Sequence, residues 1–333
     1  LYDAATQRAA QEGLIENDGG YLFFAYPPFV ATGYSWLAAL SYRTAYLIQM
    51  ALMGAAAAVA VWLLRPVSDV VRRFPWAVLA VIVLFEPLLA SLIGGQNTAL
   101  TLLLVAAAVR AEVSGRPVLA GIAVGLLAYK PQYGVPLAFL VAVGGRWRVL
   151  IGTVSTWLGL YMAGALALGI GWVGPWWEQA TAFRDTNATA NGPLFVSWPG
   201  YLEHLTGISG SAGRALGLII GAAGIAVLGW LWRRPESTPQ GRYAAAAVGL
   251  VMIAPQSLFY EAGIVAIPIL LLLGQDNRMR AAAAVTWVAG WIYLATTGFA
   301  NTTVLVLAMT AIMVIVLTPA MKDRNLAPVE VAA

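Results

Sequence analysis

Apolar stretches long enough to enter a membrane recur along the whole chain, and they limit what it can fold into. Hydrophobic residues make up 60% of the sequence and charged residues only 10%, against about 25% charged in a typical soluble domain. A transmembrane helix needs about 20 apolar residues, so the shorter stretches must be tilted, re-entrant or shielded by neighbours. We predict an all-α, polytopic membrane protein with a single integral-membrane domain over 1–333. About eleven segments are predicted, at 42–64, 76–93, 98–111, 117–129, 132–143, 149–171, 213–232, 243–258, 262–273, 281–298 and 303–319.

The near absence of metal-binding side chains narrows the possible functions. The chain has no cysteine and one histidine, His204, which excludes disulfides, zinc-thiolate sites and a His-rich metal site. No spacing among the carboxylates predicts a metal site either. We therefore expect no metal and no cofactor, and we expect no nucleic-acid partner.

Basic residues alternate from one predicted loop to the next, and this fixes the orientation. Short loops rich in Lys and Arg face the cytoplasm, and every second loop carries such residues. The basic loops hold 14 of the 19 basic residues, namely Arg65, Arg72, Arg73, Arg110, Arg116, Arg146, Arg148, Arg233, Arg234, Arg242, Arg278, Arg280, Lys322 and Arg324. The pattern predicts short cytoplasmic loops, a cytoplasmic tail at 320–333, and extracytoplasmic regions at 1–41 and 172–212. It also places Leu1 outside, which predicts a twelfth helix upstream.

Lys130 runs against this charge bias. The stretch "LLAYKPQYG" (126–134) joins two apolar segments, and proline disfavours helix at the residue before it. A break at Lys130–Pro131 keeps the alternation of basic loops intact, so Lys130 is predicted to lie on the outer face. One interpretation is a lysine that snorkels from a helix end. The other is a positive charge that holds an anionic lipid phosphate.

Aromatic, amide and acidic side chains collect at the same predicted outer face. Gln96 and Asn97 follow Gly94–Gly95, and their amides can both donate and accept hydrogen bonds, as sugar hydroxyls require. An interfacial aromatic belt with solvated loops is the competing interpretation. The predicted sugar-binding residues are Tyr26, Gln96, Asn97, Gln132, Gln256 and Tyr260, and the predicted acceptor loop carries Trp176, Asp185, Asn187 and His204. Glu86, inside an apolar run before Pro87, indicates either a hydrogen-bonded carboxyl or a polar site in the bundle.

The ordered landmarks resemble glycosyltransferase family 87, a family of bacterial membrane enzymes in the GT-C superfamily. They are "LYDAA" (1–5), "YPPF" (26–29), "GGQNTALTLLLVAAA" (94–108), "AGIAVGLLAYKPQY" (120–133) and "APQSLFYEAGIVAIP" (254–268). The resemblance implies a GT-C-like fold in the bacterial inner membrane. It also implies transfer of a sugar, often mannose, from a polyprenyl phosphate to a glycan or glycolipid acceptor on the outer side.

The resemblance also implies roles for individual residues. Lys130 matches the Lys-Pro of the family and would bind the donor phosphate. The family's catalytic carboxylate usually lies in the first outer loop, so the base is expected at Asp3, the nearest carboxylate, or upstream of Leu1. Glu261, where relatives often have Asp, is the second catalytic candidate.

Two other functions stay open at this point. A polymerase or ligase of polyprenyl-linked oligosaccharides would rely on Arg184, Arg214 and His204 in the large outer loop. A lipid or anion transporter is the non-enzymatic alternative, although internal repeats, typical of transporters, are not visible in this sequence. A larger effect of Arg184→Ala than of Lys130→Ala would favour the ligase, and lipid transport without sugar transfer would favour the transporter.

Overall fold

The protein is helical throughout the part of the chain that its structure describes. The computed structural model describes residues 1–11, 24–208, 210–273, 277–295 and 299–321. Within these ranges there is no strand, and the single extended pairing is an isolated bridge between Phe195 and Leu258. The predicted all-α fold is confirmed. Residues 322–333, most of the predicted cytoplasmic tail, lie outside the described residues.

Seventeen α-helices and five 3-10 helices follow one another in these ranges. The helices are α1 (Ala4–Gln11), α2 (Pro28–Tyr34), α3 (Tyr42–Leu64), α4 (Asp69–Arg73), α5 (Pro75–Val83), α6 (Glu86–Ile93), α7 (Thr98–Val113), α8 (Pro117–Leu126), α9 (Pro131–Val143), α10 (Trp147–Leu168), α11 (Val173–Asn191), α12 (Trp198–Thr206), α13 (Gly210–Arg233), α14 (Pro239–Ile253), α15 (Ala266–Leu272), α16 (Asn277–Ala295) and α17 (Phe299–Met321). The 3-10 helices cover Ser35–Ala39, Arg65–Val67, Leu127–Tyr129, Gly192–Leu194 and Phe259–Val265. Proline begins α2, α5, α8, α9 and α14. Proline lacks a backbone N–H, and the first residue of a helix needs none, because its N–H has no acceptor within the helix.

The predicted number of about eleven membrane segments is not confirmed. Among the described residues, three helices are long and apolar enough to cross a membrane, at Tyr42–Val67, Trp147–Leu168 and Ser211–Arg233. A fourth crossing results if α5 and α6, bent by 71° at their junction, count as one span. Shorter apolar helices cover Pro117–Tyr129, Pro131–Val143, Phe259–Leu272 and Thr302–Leu317.

Burial of helices inside the protein explains why the apolar composition predicted more membrane spans than the helix lengths support. Every residue of α14 from Arg242 to Ile253 is buried inside the protein. With 15 residues, α14 is about 22 Å long, shorter than the roughly 30 Å of a bilayer core. A helix surrounded by other helices is apolar on all sides whether or not it spans the lipid. Apolar composition therefore identified the helix but not its surroundings.

The core is built from helices that pack against α7 and α14. Helix α7 packs on α3, α8 and α14, and α14 packs on α13, α15 and α17. Helices α8 and α10 approach each other most closely, at two glycines. A Cβ on Gly121 would lie 2.0 Å from the Val149 carbonyl oxygen, and a Cβ on Gly152 would lie 2.3 Å from the Val118 carbonyl oxygen. The Thr153 hydroxyl also donates to the Gly121 carbonyl at 3.1 Å. Small residues that let backbones meet are a typical contact between membrane helices.

The region predicted as the largest outer loop is mostly helical. Helix α11 covers its first half and α12 part of its second half, with the 3-10 turn Gly192–Leu194 between them. The Val196 N–H donates to the Ser257 carbonyl at 2.8 Å, and the Ser257 N–H donates to the Ser197 hydroxyl at 3.3 Å. These bonds tie the chain between α11 and α12 to the segment that follows α14.

A buried ion pair lies at the C-terminal end of α7. Arg242 Nη2 lies 2.6 Å from Glu112 Oε1, and the Arg242 side chain is fully buried. Arg242 also donates to Ser237, and its guanidinium carbon lies 5.7 Å from the centre of the Trp232 ring. Glu112 is in the last turn of α7, whereas Asn97 precedes the first turn. Fifteen residues of helix place these two about 22 Å apart.

Candidate active site

Lys130 lies in a break between α8 and α9, as the sequence predicted. Its backbone is extended (φ −122°, ψ 83°), and Pro131 begins the next helix. The 3-10 turn Leu127–Tyr129 ends here, and the Lys130 carbonyl accepts from the N–H groups of Tyr133 and Gly134 at 2.9 and 3.0 Å. A side chain at Gly134 would meet the Leu127 carbonyl at 2.8 Å. Proline and glycine thus fix the position from which the lysine side chain extends.

The Lys130 ammonium forms a buried ion pair. Lys130 Nζ lies 2.9 Å from Glu261 Oε1, and the side chains are 3% and 8% exposed. Lys130 is outside both flanking helices. Burial is the largest single influence and lowers the pKa of Lys130, but Glu261 together with the neighbouring tyrosines raises it by more, so that the pKa lies above its ordinary value. The side chain therefore stays an ammonium ion across the physiological pH range.

Tyr133, which also contacts Ser257, holds the Glu261 carboxylate in place. The Tyr133 hydroxyl donates to Glu261 Oε2 at 2.6 Å and lies 3.0 Å from the Ser257 hydroxyl. Each carboxylate oxygen has more than one lone pair, so both oxygens of Glu261 can accept a further hydrogen bond. Glu261 is thus positioned by two partners and still has acceptor capacity.

A second tyrosine network forms the wall beside Lys130. The Tyr129 hydroxyl donates to the Asn97 carbonyl at 2.9 Å and also contacts Thr101. The ring of Tyr26 stacks on that of Tyr129, with centroids 6.5 Å apart, and the Tyr26 hydroxyl lies 3.5 Å from Asn97 Oδ1. These contacts join the start of α7 to the chain before α2.

These groups surround a pocket of about 280 Å³, here called the first pocket. Its lining includes eight of the predicted site residues: Tyr26, Lys130, Gln132, Trp176, Asn187, Gln256, Tyr260 and Glu261. Arg184 and Phe183 also line it, and within the described part of the chain Glu261 is the only carboxylate that does so. The structure therefore brings together an ammonium, a carboxylate, amides and aromatic rings from four separate parts of the chain.

Three further hydrogen bonds attach α11 to this pocket. The Trp176 indole N–H donates to the Ala25 carbonyl at 3.1 Å. Asn187 Nδ2 donates to Gln256 Oε1 at 3.1 Å, and Gln256 Nε2 donates to the Arg184 carbonyl at 3.0 Å. The predicted acceptor loop thus forms one side of the first pocket.

Five predicted residues do not line the first pocket. Gln96 is in the turn beside Asn97, and neither amide is among the lining residues, although Asn97 backs Tyr26. Asp185 and His204 line a second pocket of about 490 Å³. Asp3 lines a third pocket of about 710 Å³ together with Glu178.

Asp3 has a structural role at the start of α1. Its Oδ1 accepts from the N–H and the hydroxyl of Thr6 at 2.8 and 2.6 Å, as a helix N-cap does. The hydrogen bond from the Thr6 hydroxyl lowers the pKa of Asp3 most, followed by that from the Thr6 N–H. A lower pKa makes this carboxylate a weaker base.

Sequence reasoning did not assign roles to Tyr129, Tyr133 or Ser257. Tyr129 precedes Lys130 directly, and Tyr133 follows it by three residues, one helical turn. That spacing was a usable signal, whereas nothing in the sequence pairs Ser257 with Tyr133. Glu86 is buried at the start of α6, and its Oε2 has no hydrogen-bond partner. Within the described ranges no three His, Asp or Glu side chains are grouped to hold a metal ion, so we assign no residue to one.

The arrangement suits an anionic ligand that carries a sugar. The ammonium can bind a phosphate oxygen, the amides can bind hydroxyls, and the tyrosine and tryptophan rings can pack against a sugar face. The carboxylate has the hydrogen-bonding capacity to accept a proton.

Comparison with known proteins identifies the class. The profile of glycosyltransferase family 87 matches residues 24–255. The chain belongs to this family, which confirms the resemblance, and it is a membrane glycosyltransferase. No curated protein and no solved structure matched the chain. The matched range includes Lys130 and ends before Glu261.

Proposed function

We propose that the protein transfers a hexose, mannose or a similar sugar, from a polyprenyl phosphate to a glycan or glycolipid acceptor. The first pocket would hold the donor phosphate and the transferred sugar. The reaction takes place on the extracytoplasmic side of a bacterial inner membrane, with the C-terminus in the cytoplasm. The chain uses the lipid-linked sugar as a substrate and needs no cofactor.

The position of Lys130 carries this proposal. Its ammonium lines the first pocket although it is almost completely buried, and burying a charge is unfavourable unless it is paired. A lysine that only snorkels would extend its charge into water. Lys130 instead holds its charge beside the pocket, where it can stabilise the negative charge of a departing lipid phosphate.

The transfer step assigns a role to each group of the first pocket. The acceptor hydroxyl oxygen attacks the anomeric carbon, and the bond from that carbon to the phosphate oxygen breaks. The polyprenyl phosphate leaves with the electron pair and is stabilised by Lys130. We assign Glu261 to accept the hydroxyl proton, because among the described residues it is the only carboxylate that lines this pocket. Tyr133 positions Glu261 through its 2.6 Å hydrogen bond.

The charge distribution supports the orientation. Lys130 and Glu261 lie near the Asn97 end of α7 and Arg242 near its other end. The Arg242 end also carries Arg110 and, after α9, Arg146. Basic residues near short loops favour the cytoplasmic side, which supports a position of the first pocket at the outer face.

The test is donor consumption by purified protein in nanodiscs. The donor is a short-chain polyprenyl-phosphate mannose with a labelled sugar, and the variant is Lys130→Ala. We expect wild type to bind and consume the donor, and the variant to lose about 100-fold or more in transfer rate, as when one charge-stabilising donor is removed from an active site.

Three results would contradict parts of the proposal. Equal rates for wild type and Lys130→Ala would remove Lys130 from the site. A larger loss in Arg184→Ala than in Lys130→Ala would favour the polymerase or ligase. If wild type uses no mannose, glucose or galactose donor but moves labelled lipid across the bilayer, the protein is a transporter.

A further inference from the structure

The second pocket adjoins the first and shares part of its wall. Arg184 and Gln256 line both pockets. The second pocket, of about 490 Å³, is larger than the first and is lined mainly by polar side chains. Beyond the shared pair, its polar lining residues are Asp185, Thr189, Glu203, His204 and Arg214.

The wall between the pockets is held by hydrogen bonds. The Gln256 amide bonds at one end to Asn187 and at the other to the Arg184 carbonyl, at 3.1 and 3.0 Å. Asn191 donates to Asn187 Oδ1 at 2.8 Å. These amide groups all have hydrogen-bond partners. The Arg184 side chain differs from them, because its Nε is buried without a hydrogen-bond partner. A buried, unsatisfied donor is unfavourable, and a ligand at this junction would satisfy it.

Charge distinguishes the two pockets. Lys130, Arg184 and Glu261 give the first pocket an excess of one positive charge. In the second pocket two arginines face two carboxylates, and Arg214 Nη2 lies 2.9 Å from Asp185 Oδ1. The first pocket therefore favours an anion. The second favours an uncharged ligand, whose hydroxyls can donate to carboxylates and accept from guanidinium groups.

We infer that the second pocket binds an uncharged sugar of the acceptor, and that the reacting hydroxyl enters the first pocket past Arg184 and Gln256. This inference rests on the proposed function. It assigns the phosphate to one pocket and the acceptor sugar to the other. Arg184 then lies where the two substrates meet.

The experiment blocks the second pocket without touching the first. Thr189 lines only the second of these two pockets and is exposed, so Thr189→Trp fills it with a large side chain. Ala190→Trp is the matched control, because it adds the same side chain one residue further along α11, at an exposed position that lines neither pocket. A second variant, Glu203→Ala, shortens a lining residue without adding bulk.

Donor binding and acceptor kinetics are measured separately in nanodiscs. The acceptor probes are the octyl glycosides of mannose, glucose and galactose, at saturating polyprenyl-phosphate mannose. We expect Thr189→Trp to raise the KM of the accepted glycoside about tenfold or more, since a clash in the pocket excludes the ligand. Glu203→Ala should raise the same KM less. Donor affinity should stay unchanged in both, and Ala190→Trp should match wild type in both measurements.

The outcomes separate the inference from the function it rests on. If Thr189→Trp and Ala190→Trp give the same acceptor KM while wild type transfers sugar, the second pocket does not bind the acceptor. If wild type consumes donor but glycosylates an anionic acceptor and none of the three glycosides, the assignment of an uncharged sugar is wrong. If wild type neither binds nor consumes any polyprenyl-phosphate sugar, the proposed function fails and this inference fails with it.

Discussion

Two buried ion pairs lie near opposite ends of α7, and they differ in what surrounds them. Arg242 and Glu112 are 2.6 Å apart, and Arg242 packs against Trp232 and donates to Ser237. Neither residue lines any of the three pockets described above. Lys130 and Glu261 are 2.9 Å apart, and both line the first pocket. One pair is enclosed by protein, and the other has one side open to a ligand.

The difference teaches that burial of a charge alone does not identify a functional site. A buried pair can lock helices together, and removal of one partner leaves the other charge uncompensated. The planar guanidinium of arginine suits such a fixed arrangement with several partners. The lysine pair has fewer partners, and it has access to a pocket. The Lys130 ammonium can therefore exchange the Glu261 carboxylate for a ligand phosphate. Access to a pocket is therefore the property that separates the two.

The largest effect is expected from Arg242→Ala, and it concerns stability. The substitution removes the close, buried partner of Glu112 and leaves only the more distant, partly exposed Arg146, whose Nε lies 3.8 Å away, so we expect a loss of about 3–5 kcal/mol in the free energy of unfolding. Thermal unfolding in detergent measures it. The double variant Arg242→Met, Glu112→Leu should recover most of the loss, because no unpaired charge is left. A folded Arg242→Ala protein that unfolds like wild type but no longer transfers sugar would contradict the comparison.

Glu261→Gln should give the next largest effect, and it concerns catalysis. The amide keeps the shape of the side chain but cannot take a proton, so we expect transfer to fall about 100-fold or more. Donor binding should change only slightly, since Lys130 remains. Transfer rate and donor affinity are measured in parallel. A weaker donor affinity with an unchanged rate at saturation would assign Glu261 to positioning Lys130.

Tyr133→Phe should have a smaller effect on the same pair. The substitution removes a 2.6 Å hydrogen bond to Glu261 and leaves a buried acceptor, which costs about 1–2 kcal/mol. We expect a transfer rate lowered roughly tenfold with donor affinity unchanged. Tyr243→Phe, next to Arg242, is the matched control and should leave transfer unaffected. An equal loss in both variants would show a general effect of tyrosine removal.

The smallest effect is expected at an exposed pair. Arg72 and Asp69 are 2.7 Å apart, but their side chains are 70% and 81% exposed. Solvent screens such a pair, so Arg72→Ala should change the free energy of unfolding by less than about 1 kcal/mol. Thermal unfolding and transfer assays should both match wild type. A loss as large as that of Arg242→Ala would mean that burial does not set the strength of these pairs.

Local sequence predicted the helices and the position of Lys130 because both depend on neighbouring residues. The proline after Lys130 disfavours helix at the residue before it, and apolar runs form helices in a membrane or in a core. The predicted number of membrane spans is not confirmed for the same reason, since composition does not distinguish a lipid-facing helix from an enclosed one such as α14.

The pairings within the site could not be predicted from the sequence. Lys130 and Glu261 are 131 residues apart, and Arg242 and Glu112 are 130 apart, so only the tertiary packing brings them together. The sequence predicted Lys130, Glu261 and the amides as individual site residues, without the contacts between them. It did not show that Asp3 caps α1 in another pocket, or that Tyr133 holds Glu261.

Binding of the lipid phosphate without a sugar tests the central claim most directly. A short-chain polyprenyl phosphate is titrated against wild type, Lys130→Ala and Arg242→Ala in nanodiscs, at a temperature where all three are folded. We predict that Lys130→Ala weakens binding at least about tenfold, since it removes a charge-assisted hydrogen bond, and that Arg242→Ala binds like wild type. Equal affinity of wild type and Lys130→Ala, or an equal loss in both variants, would contradict a phosphate site at Lys130.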